Sequence, residues 1–177
     1  MSLLDDAVQL TRSRATFGEN ASRLAETVLR SDAFRVLLLQ RAREGLGLLR
    51  VPLAGHLLRA AQTALYGIEI GRYATLGRGV NFVHPVGIVV GGTSVVGDRV
   101  IFFGCVTLGS IRGVGYPTIE EDVIIGAGAR ILGNIRIGAR SEIGANAVVL
   151  KDVPPDSVAV GVPAVVRPRH VARFTLA

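Results

Sequence analysis

"VIIGAGARILGNIRIGARSEIGANAVVL", residues 123–150, places an apolar residue at every sixth position: Ile125, Ile131, Ile137, Ile143 and Val149. Four places after the first four of these stand Ala129, Ile135, Ser141 and Ala147. The same spacing extends towards the N-terminus through Ile119, then Val90, Val96, Phe102 and Leu108, and before them Ile70, Leu76 and Phe82. The offset residues continue as well, at Ala74, Val80, Ser94, Val100, Val106 and Val123. A chance alternation of strands would not hold one period so long, so the segment is an internal repeat. A hexapeptide is a short strand plus a turn, too small to bury its own apolar side chain. Stacking such units in parallel coils buries a column of Ile, Leu and Val, which predicts a β-solenoid.

The register slips twice. Phe82 to Val90 spans eight residues, and the two extra ones sit beside His84, the only histidine between Glu69 and Pro163. Leu108 to Ile119 spans eleven, with the surplus in "GSIRGVGYPT", residues 109–118. Insertions in a solenoid bulge outward from one face, commonly the binding face, so both are expected to border one site.

Residues 1–66 read differently. "LLDDAVQL", "ENASRLAETVLR", "DAFRVLLLQRAR" and "PLAGHLLRAAQTALY" space apolar residues three and four apart, as helices do. Ser31-Asp32 is an N-cap candidate, and Pro52 suits a first helical turn. His56 falls in the last of these helices and receives no chemical role. The organisation is therefore an α-helical segment at 1–66, a solenoid at 67–166 and a basic tail at 167–177.

The net charge of +6 comes from nineteen arginines and Lys151 against 14 acidic residues. The arginines are scattered, with no basic run and no interleaved aromatics, which argues against nucleic-acid binding. A single cysteine, Cys105, excludes an internal disulfide and reads as a buried small residue of the coil. The acidic start lacks a signal-peptide layout, and no apolar run is long enough to span a membrane. A cytoplasmic protein without a transmembrane segment is expected.

"GIEI" at 67–70, "FVHPVGIVVGG" at 82–92, "VTLGS" at 106–110, "IIGAGARILGNIRIG" at 124–138 and "IGANAVVLKDVPPDSVAVGVPA" at 143–164 together resemble one family. It is the serine acetyltransferase group of hexapeptide-repeat acyltransferases. The resemblance implies a mainly β fold, a left-handed parallel β-helix preceded by helices. It also supplies the hand of the coil, on which the spacing is silent. The implied activity is acetyl transfer from acetyl-CoA to a hydroxyl, with no metal. His84 stands at the position of the catalytic histidine and Glu69 at that of its carboxylate partner. An imidazole is suited to take a proton from an alcohol near neutral pH, and a carboxylate on its other nitrogen fixes the tautomer.

By the same resemblance, Gly109 and Ser110 would offer a backbone N–H to the thioester oxygen, and with Ala127 and Ala145 they would line the acetyl-CoA arm. Lys151, Arg167 and Arg169 are candidates for its phosphates. A homotrimer is implied, with the site in a groove between neighbouring solenoids; a dimer of trimers is the larger assembly known in the family.

On the acceptor side the chain departs from the pattern. Val83 stands where the family has an Asp that holds the amino group of serine. Gly115-Tyr116 replaces an Arg-His pair that holds its carboxylate, and the loop is three residues shorter. Arg112 is a substitute on the carboxylate side. An apolar Val83 cannot pair an ammonium group, so a sugar, polysaccharide or specialised-metabolite hydroxyl competes with free serine as acceptor. A non-catalytic trimeric scaffold is the alternative from another class. A metal-dependent carbonic anhydrase built on the same coil would need about three zinc ligands, which one histidine in the repeat, with His56 and His170 outside it, does not supply.

Overall fold

The computed structural model describes residues 31–48 and 52–169, so the two helical stretches expected within residues 1–30 lie outside the described residues. Helix α1 (Asp32–Leu48) opens where the carbonyl of Ser31 accepts the N–H of Arg35 at 3.1 Å. The Ser31 hydroxyl is buried and has no hydrogen-bond partner among the described residues, so the expected side-chain cap onto α1 is not made. Helix α2 (Pro52–Tyr66) starts at its proline, whose missing N–H costs nothing at a first helical position.

The chain then winds into five coils. The first carries β1 (Glu69–Ile70), β2 (Thr75–Leu76) and β3 (Asn81–Phe82), and the second β4 (Val89–Val90), β5 (Val95–Val96) and β6 (Ile101–Phe102). The third holds β7 (Thr107–Gly109), β8 (Thr118–Ile119) and β9 (Ile124–Ile125), and the fourth β10 (Arg130–Leu132), β11 (Arg136–Ile137) and β12 (Glu142–Ile143). The fifth consists of β13 (Val148–Val149), a bridge from Val153 to Ile137, and β14 (Ser157–Val160). Finally β15 (Val165–Pro168) turns back antiparallel on β14.

Every third strand pairs in parallel, which makes three sheets around one core. Sheet A is β1-β4-β7-β10-β13, sheet B is β2-β5-β8-β11, and sheet C is β3-β6-β9-β12-β14 with β15 at its end. The sixth-position residues line up across coils, for example Ile70 with Val90, Val90 with Leu108, Leu108 with Ile131 and Ile131 with Val149. All thirteen are buried. Each such side chain contributes roughly 1.5–3 kcal/mol on leaving water. Phe82 and Phe102 stack at a ring-centroid distance of 5.1 Å in sheet C, where successive coils place one aromatic over the next.

A solenoid's first coil has no coil beneath it, and its strand-end carbonyls would be left without donors. Helix α1 supplies them. The Arg41 guanidinium donates to the carbonyls of Leu76 (3.0 Å) and Gly77 (2.6 Å), and that of Arg43 to Ile70 (3.0 Å) and Gly71 (3.3 Å). Burial, with the neighbouring Arg59 cation second, pushes the Arg43 guanidinium below its ordinary value. Ala33, Val36 and Leu37 complete the cap by joining the solenoid core.

At the other end, Val158 pairs with Arg167 and Ser157 with Pro168, so the first residues of the expected tail belong to a strand. Antiparallel pairing along four residues of β14 holds them; residues 170–177 lie outside the described residues. Among the described residues no helix is long and apolar enough to cross a membrane.

Candidate functional site

Three sheets meet at three edges of the prism, and each chemically distinctive residue lies on one of them. At the C/A edge the chain leaves sheet C and enters sheet A. Residues 103–106, 126–129 and 144–147 make this corner in the later coils, whereas the first such corner takes residues 83–88. The surplus pushes His84 out to solvent, while Pro85 is buried beneath it and Val83 is half-buried. Val83 stays tied to the next coil, its N–H donating to the Phe102 carbonyl at 2.8 Å. Among the described residues, no hydrogen bond or ion pair reaches the His84 ring.

Gly87 closes this widened corner. Its φ is +73°, and a Cβ there would stand 2.9 Å from Cys105 Sγ. Below it, the Gly87 N–H donates to the Gly67 carbonyl at 2.8 Å, which seats the corner on the end of α2. Helix α2 in turn runs directly into the first coil: Gly67 N–H bonds the Thr63 carbonyl at 2.9 Å, and Thr63 Oγ1 donates to the Ile68 carbonyl at 3.2 Å. Glu69, at the start of β1, therefore lies one coil beneath the His84 corner at the same edge. Its carboxylate is held by another group: Arg59 Nη2 on α2 donates to Glu69 Oε1 at 2.5 Å. Sequence reasoning missed Arg59, because nothing in a helical pattern marks which side chain reaches past the helix end.

Above His84 the corners stack in order. Cys105 N–H bonds the Val86 carbonyl (3.0 Å), Gly128 N–H the Gly104 carbonyl (2.9 Å) and Asn146 N–H the Ala127 carbonyl (2.8 Å). Ala127 and Ala145 are exposed along this run, and their methyl groups leave main chain accessible to an elongated ligand. Cys105 is exposed too, contrary to the expectation of a buried residue. It occupies the left-handed corner position, with φ +59°, and Val106 fills the core place behind it. Arg130 lays its guanidinium on the same run, donating to the carbonyls of Cys105 and, at 3.0 Å, Gly128.

The second register slip lies elsewhere. Residues 110–117 connect β7 to β8, at the A/B edge. Ile111 and Val114 bridge to form a tight turn that exposes Arg112, with φ +51°. The ring of Tyr116 packs against Gly91 and Gly92: a Cβ on Gly92 would meet ring carbons at 2.1 Å. Gly109 ends β7 and Ser110 begins this loop, and Lys151 is exposed at the same edge in the fifth coil. The two insertions thus border the same sheet but at opposite edges. One edge brings Val83, His84, Glu69, Ala127 and Ala145 together; the other brings Gly109, Ser110, Arg112, Tyr116 and Lys151 together. Of the two tail arginines expected to meet the phosphates, Arg167 is exposed, whereas Arg169 is occupied by Glu142 Oε1 (2.5 Å) and the Arg140 carbonyl (3.0 Å). Among the described residues, no three His, Cys, Asp or Glu side chains gather as a metal site would require.

Comparison with known proteins gives this geometry a context. Residues 116–151 match the family model for bacterial transferase hexapeptide (six repeats). A serine acetyltransferase of Synechococcus elongatus is 40% identical over 141 residues, covering 78% of this chain and 58% of that enzyme. The chain thus spans less than two thirds of that relative's length. Soybean serine acetyltransferase complexed with serine superposes with a TM-score of 0.81 at 37% identity, over 94% of this chain and 70% of that one. A serine acetyltransferase in complex with CoA superposes with a TM-score of 0.80 at 36% identity, over 93% of this chain and 68% of that one.

Proposed function

We propose that this chain, which belongs to the serine acetyltransferase family of hexapeptide-repeat proteins, transfers an acetyl group from acetyl-CoA to the hydroxyl of a small acceptor. The observation that carries the reading is the lengthened C/A corner, which turns the one histidine of the coils out to solvent above Glu69. In this mechanism the neutral His84 ring takes the acceptor's hydroxyl proton as the oxygen attacks the thioester carbon. The carbon–sulfur bond then breaks, and the same proton passes to the departing sulfur. Glu69 stabilises the imidazolium between these two events and fixes which ring nitrogen faces the acceptor. A general base of this kind is worth about 10²–10⁴-fold in rate.

The extended arm of acetyl-CoA runs along the C/A edge past Ala127 and Ala145. Gly109 and Ser110 provide the N–H for the developing oxyanion, and Lys151 meets the phosphates. These three sit on the A/B edge, across sheet A from His84 in the same chain, so both halves of the site meet only when the A/B edge of one copy packs beside the C/A edge of another. A homotrimer of parallel solenoids achieves that, and its closed symmetry repeats the contact three times. The acceptor is the less determined partner. Val83 offers no carboxylate to an ammonium group, which favours an alcohol lacking one, and free serine is the reference against which it is measured.

The test is thiol release from acetyl-CoA with serine, homoserine, hydroxy acids and a panel of sugars, beside calorimetric titration of CoA. Release with at least one acceptor, and binding of CoA, are expected. Binding of neither acetyl-CoA nor CoA, with no thiol released, would leave a scaffold in place of an enzyme.

A further inference from the structure

Glu69 has two carboxylate oxygens, and the structure engages only one. Oε1 accepts from Arg59 Nη2, while Oε2 and both ring nitrogens of His84 have no partner among the described residues. An isolated carboxylate on a two-residue strand at a prism edge has several rotamers open to it. A single charge-assisted hydrogen bond from a held cation restricts that freedom, because it ties down one of the two oxygens. Arg59 is itself held from behind. Helix α2 packs against α1, the Gln62 amide donating to the Val36 carbonyl at 3.1 Å, and Thr63 ties the helix end to Ile68. The Arg43 cation near Arg59 makes an anion the favoured neighbour for that face of α2.

We propose that Arg59 is a positioning residue of the acyl-transfer site, clamping one oxygen of Glu69 from α2 so that the other is presented to the His84 ring. The proposal rests on the function proposed above. It makes the helical segment part of the active site, where the repeat alone would account only for the coil. The side chains of Arg59 and Glu69 are 39% and 48% exposed, so as a surface staple the pair would stabilise little. Orientation of the carboxylate, and through it of the imidazole, is the larger effect open to it. Arg59 touches neither substrate nor reacting atoms and acts through Glu69.

The full chain, labelled with ¹⁵N at histidine, supplies a readout independent of turnover: the nitrogen chemical shifts of the His84 ring report its tautomer. With CoA bound, where the site is engaged, a single tautomer is expected in the unaltered protein and in Arg59→Lys, and a mixture in Arg59→Gln and Glu69→Gln. In the same variants kcat falls roughly tenfold for Arg59→Gln, as expected when a catalytic group is displaced by a fraction of an ångström. The KM for acetyl-CoA stays unchanged, and Arg59→Lys recovers most of the rate. Should Arg59→Gln lose its fold, Arg59→Met keeps the aliphatic stem and carries the same measurements, with thermal melting as the check.

If Glu69→Gln alters the tautomer and Arg59→Gln does not, the positioning role is wrong and the Glu69–His84 pairing stands. If neither alters it, that pairing fails and Arg59 with it. A rise in kcat on removing Arg59 would also overturn the proposal, since it would mean that the guanidinium competes with the imidazole.

Discussion

The B/C and C/A edges solve one backbone problem in two ways. Each coil must turn its corner through a left-handed residue. On the B/C edge those residues are Gly79, Arg99, Asp122, Arg140 and Asp156; on the C/A edge they include Gly87, Cys105, Gly128 and Asn146. A left-handed conformation costs an L-residue about 1–2 kcal/mol, and Gly and Asn tolerate it best. The B/C edge accepts that cost and offsets it with ion pairs between successive coils. Arg78 pairs with Asp98 (3.0 Å), Arg99 with Asp122 (2.6 Å) and Arg140 with Asp156 (2.6 Å). Between the third and fourth coils the Ala139 N–H and the Arg136 guanidinium both bind Glu120. At its left-handed corner positions the C/A edge carries short side chains, with Arg130 crossing them from β10 and Arg59 holding Glu69 below. Its one imidazole has no partner among the described residues. One edge uses carboxylate–guanidinium pairs at nearly every step to hold coils together; the other leaves its histidine corner open, which is the condition a substrate groove needs.

The contrast predicts opposite sensitivities. His84→Ala is expected to lower acetyl transfer by about 10²–10⁴-fold while leaving the melting temperature within a degree or two, since an exposed ring without a partner supports little of the fold. Steady-state thiol release and calorimetry check both halves, and normal turnover would remove His84 from the mechanism. Gly87→Ala comes next. A Cβ at φ +73° is strained, and this one also meets Cys105 Sγ at 2.9 Å. The left-handed backbone is strained for an L-residue and the Cys105 thiol must also move, at a cost of about 1–3 kcal/mol and with loss of most activity. Denaturant unfolding alongside kinetics measures it; a variant of unchanged stability and rate would mean that the corner's shape is not what presents His84.

How much of this was legible beforehand differs between core and edge. All thirteen positions at sixfold spacing are buried, because an apolar side chain on a short strand of a coil has only the interior to enter. Nine of the ten offset positions follow suit, with Ser94 and Ser141 buried beside the valines, and Ile135 is half-buried. Edges were less readable. Both register slips were visible as numbers, but the sheets each one joined depended on counting strands within a coil, so their placement on opposite edges was not. Cys105 was misjudged because the period marks which residues point inward and says little about the corner between them. The capping of the first coil by Arg41 and Arg43 was hidden too, since a helix pattern does not reveal which carbonyls lie within a guanidinium's reach. Nor do the Arg–Asp pairs of the B/C edge show, as their partners sit 16 to 23 residues apart.

The smallest expected effect falls on that charged edge. The hydrogen bond from the Arg78 backbone N–H holds the Asp98 carboxyl below its ordinary value, and those from the guanidinium groups of Arg99 and Arg140 do the same for Asp122 and Asp156. The Ala139 N–H, then Arg136, lowers Glu120 likewise. A carboxyl with a lower value in the folded chain than in the unfolded one binds fewer protons when folded. Its contribution is therefore complete above the ordinary carboxylate range, about pH 4, and fades as pH falls through the lowered values. The melting temperature should be flat from neutral pH to about pH 5 and then decline, more gently in high salt, where exposed pairs are already screened. Asp122→Asn, on a partly exposed pair, should cost about 0.2–1 kcal/mol at pH 7 and almost nothing once the pH has fallen below the lowered carboxyl value. A cost that persisted undiminished in acid would assign Asp122 to packing in place of charge, and the two edges would then differ only in the size of their side chains.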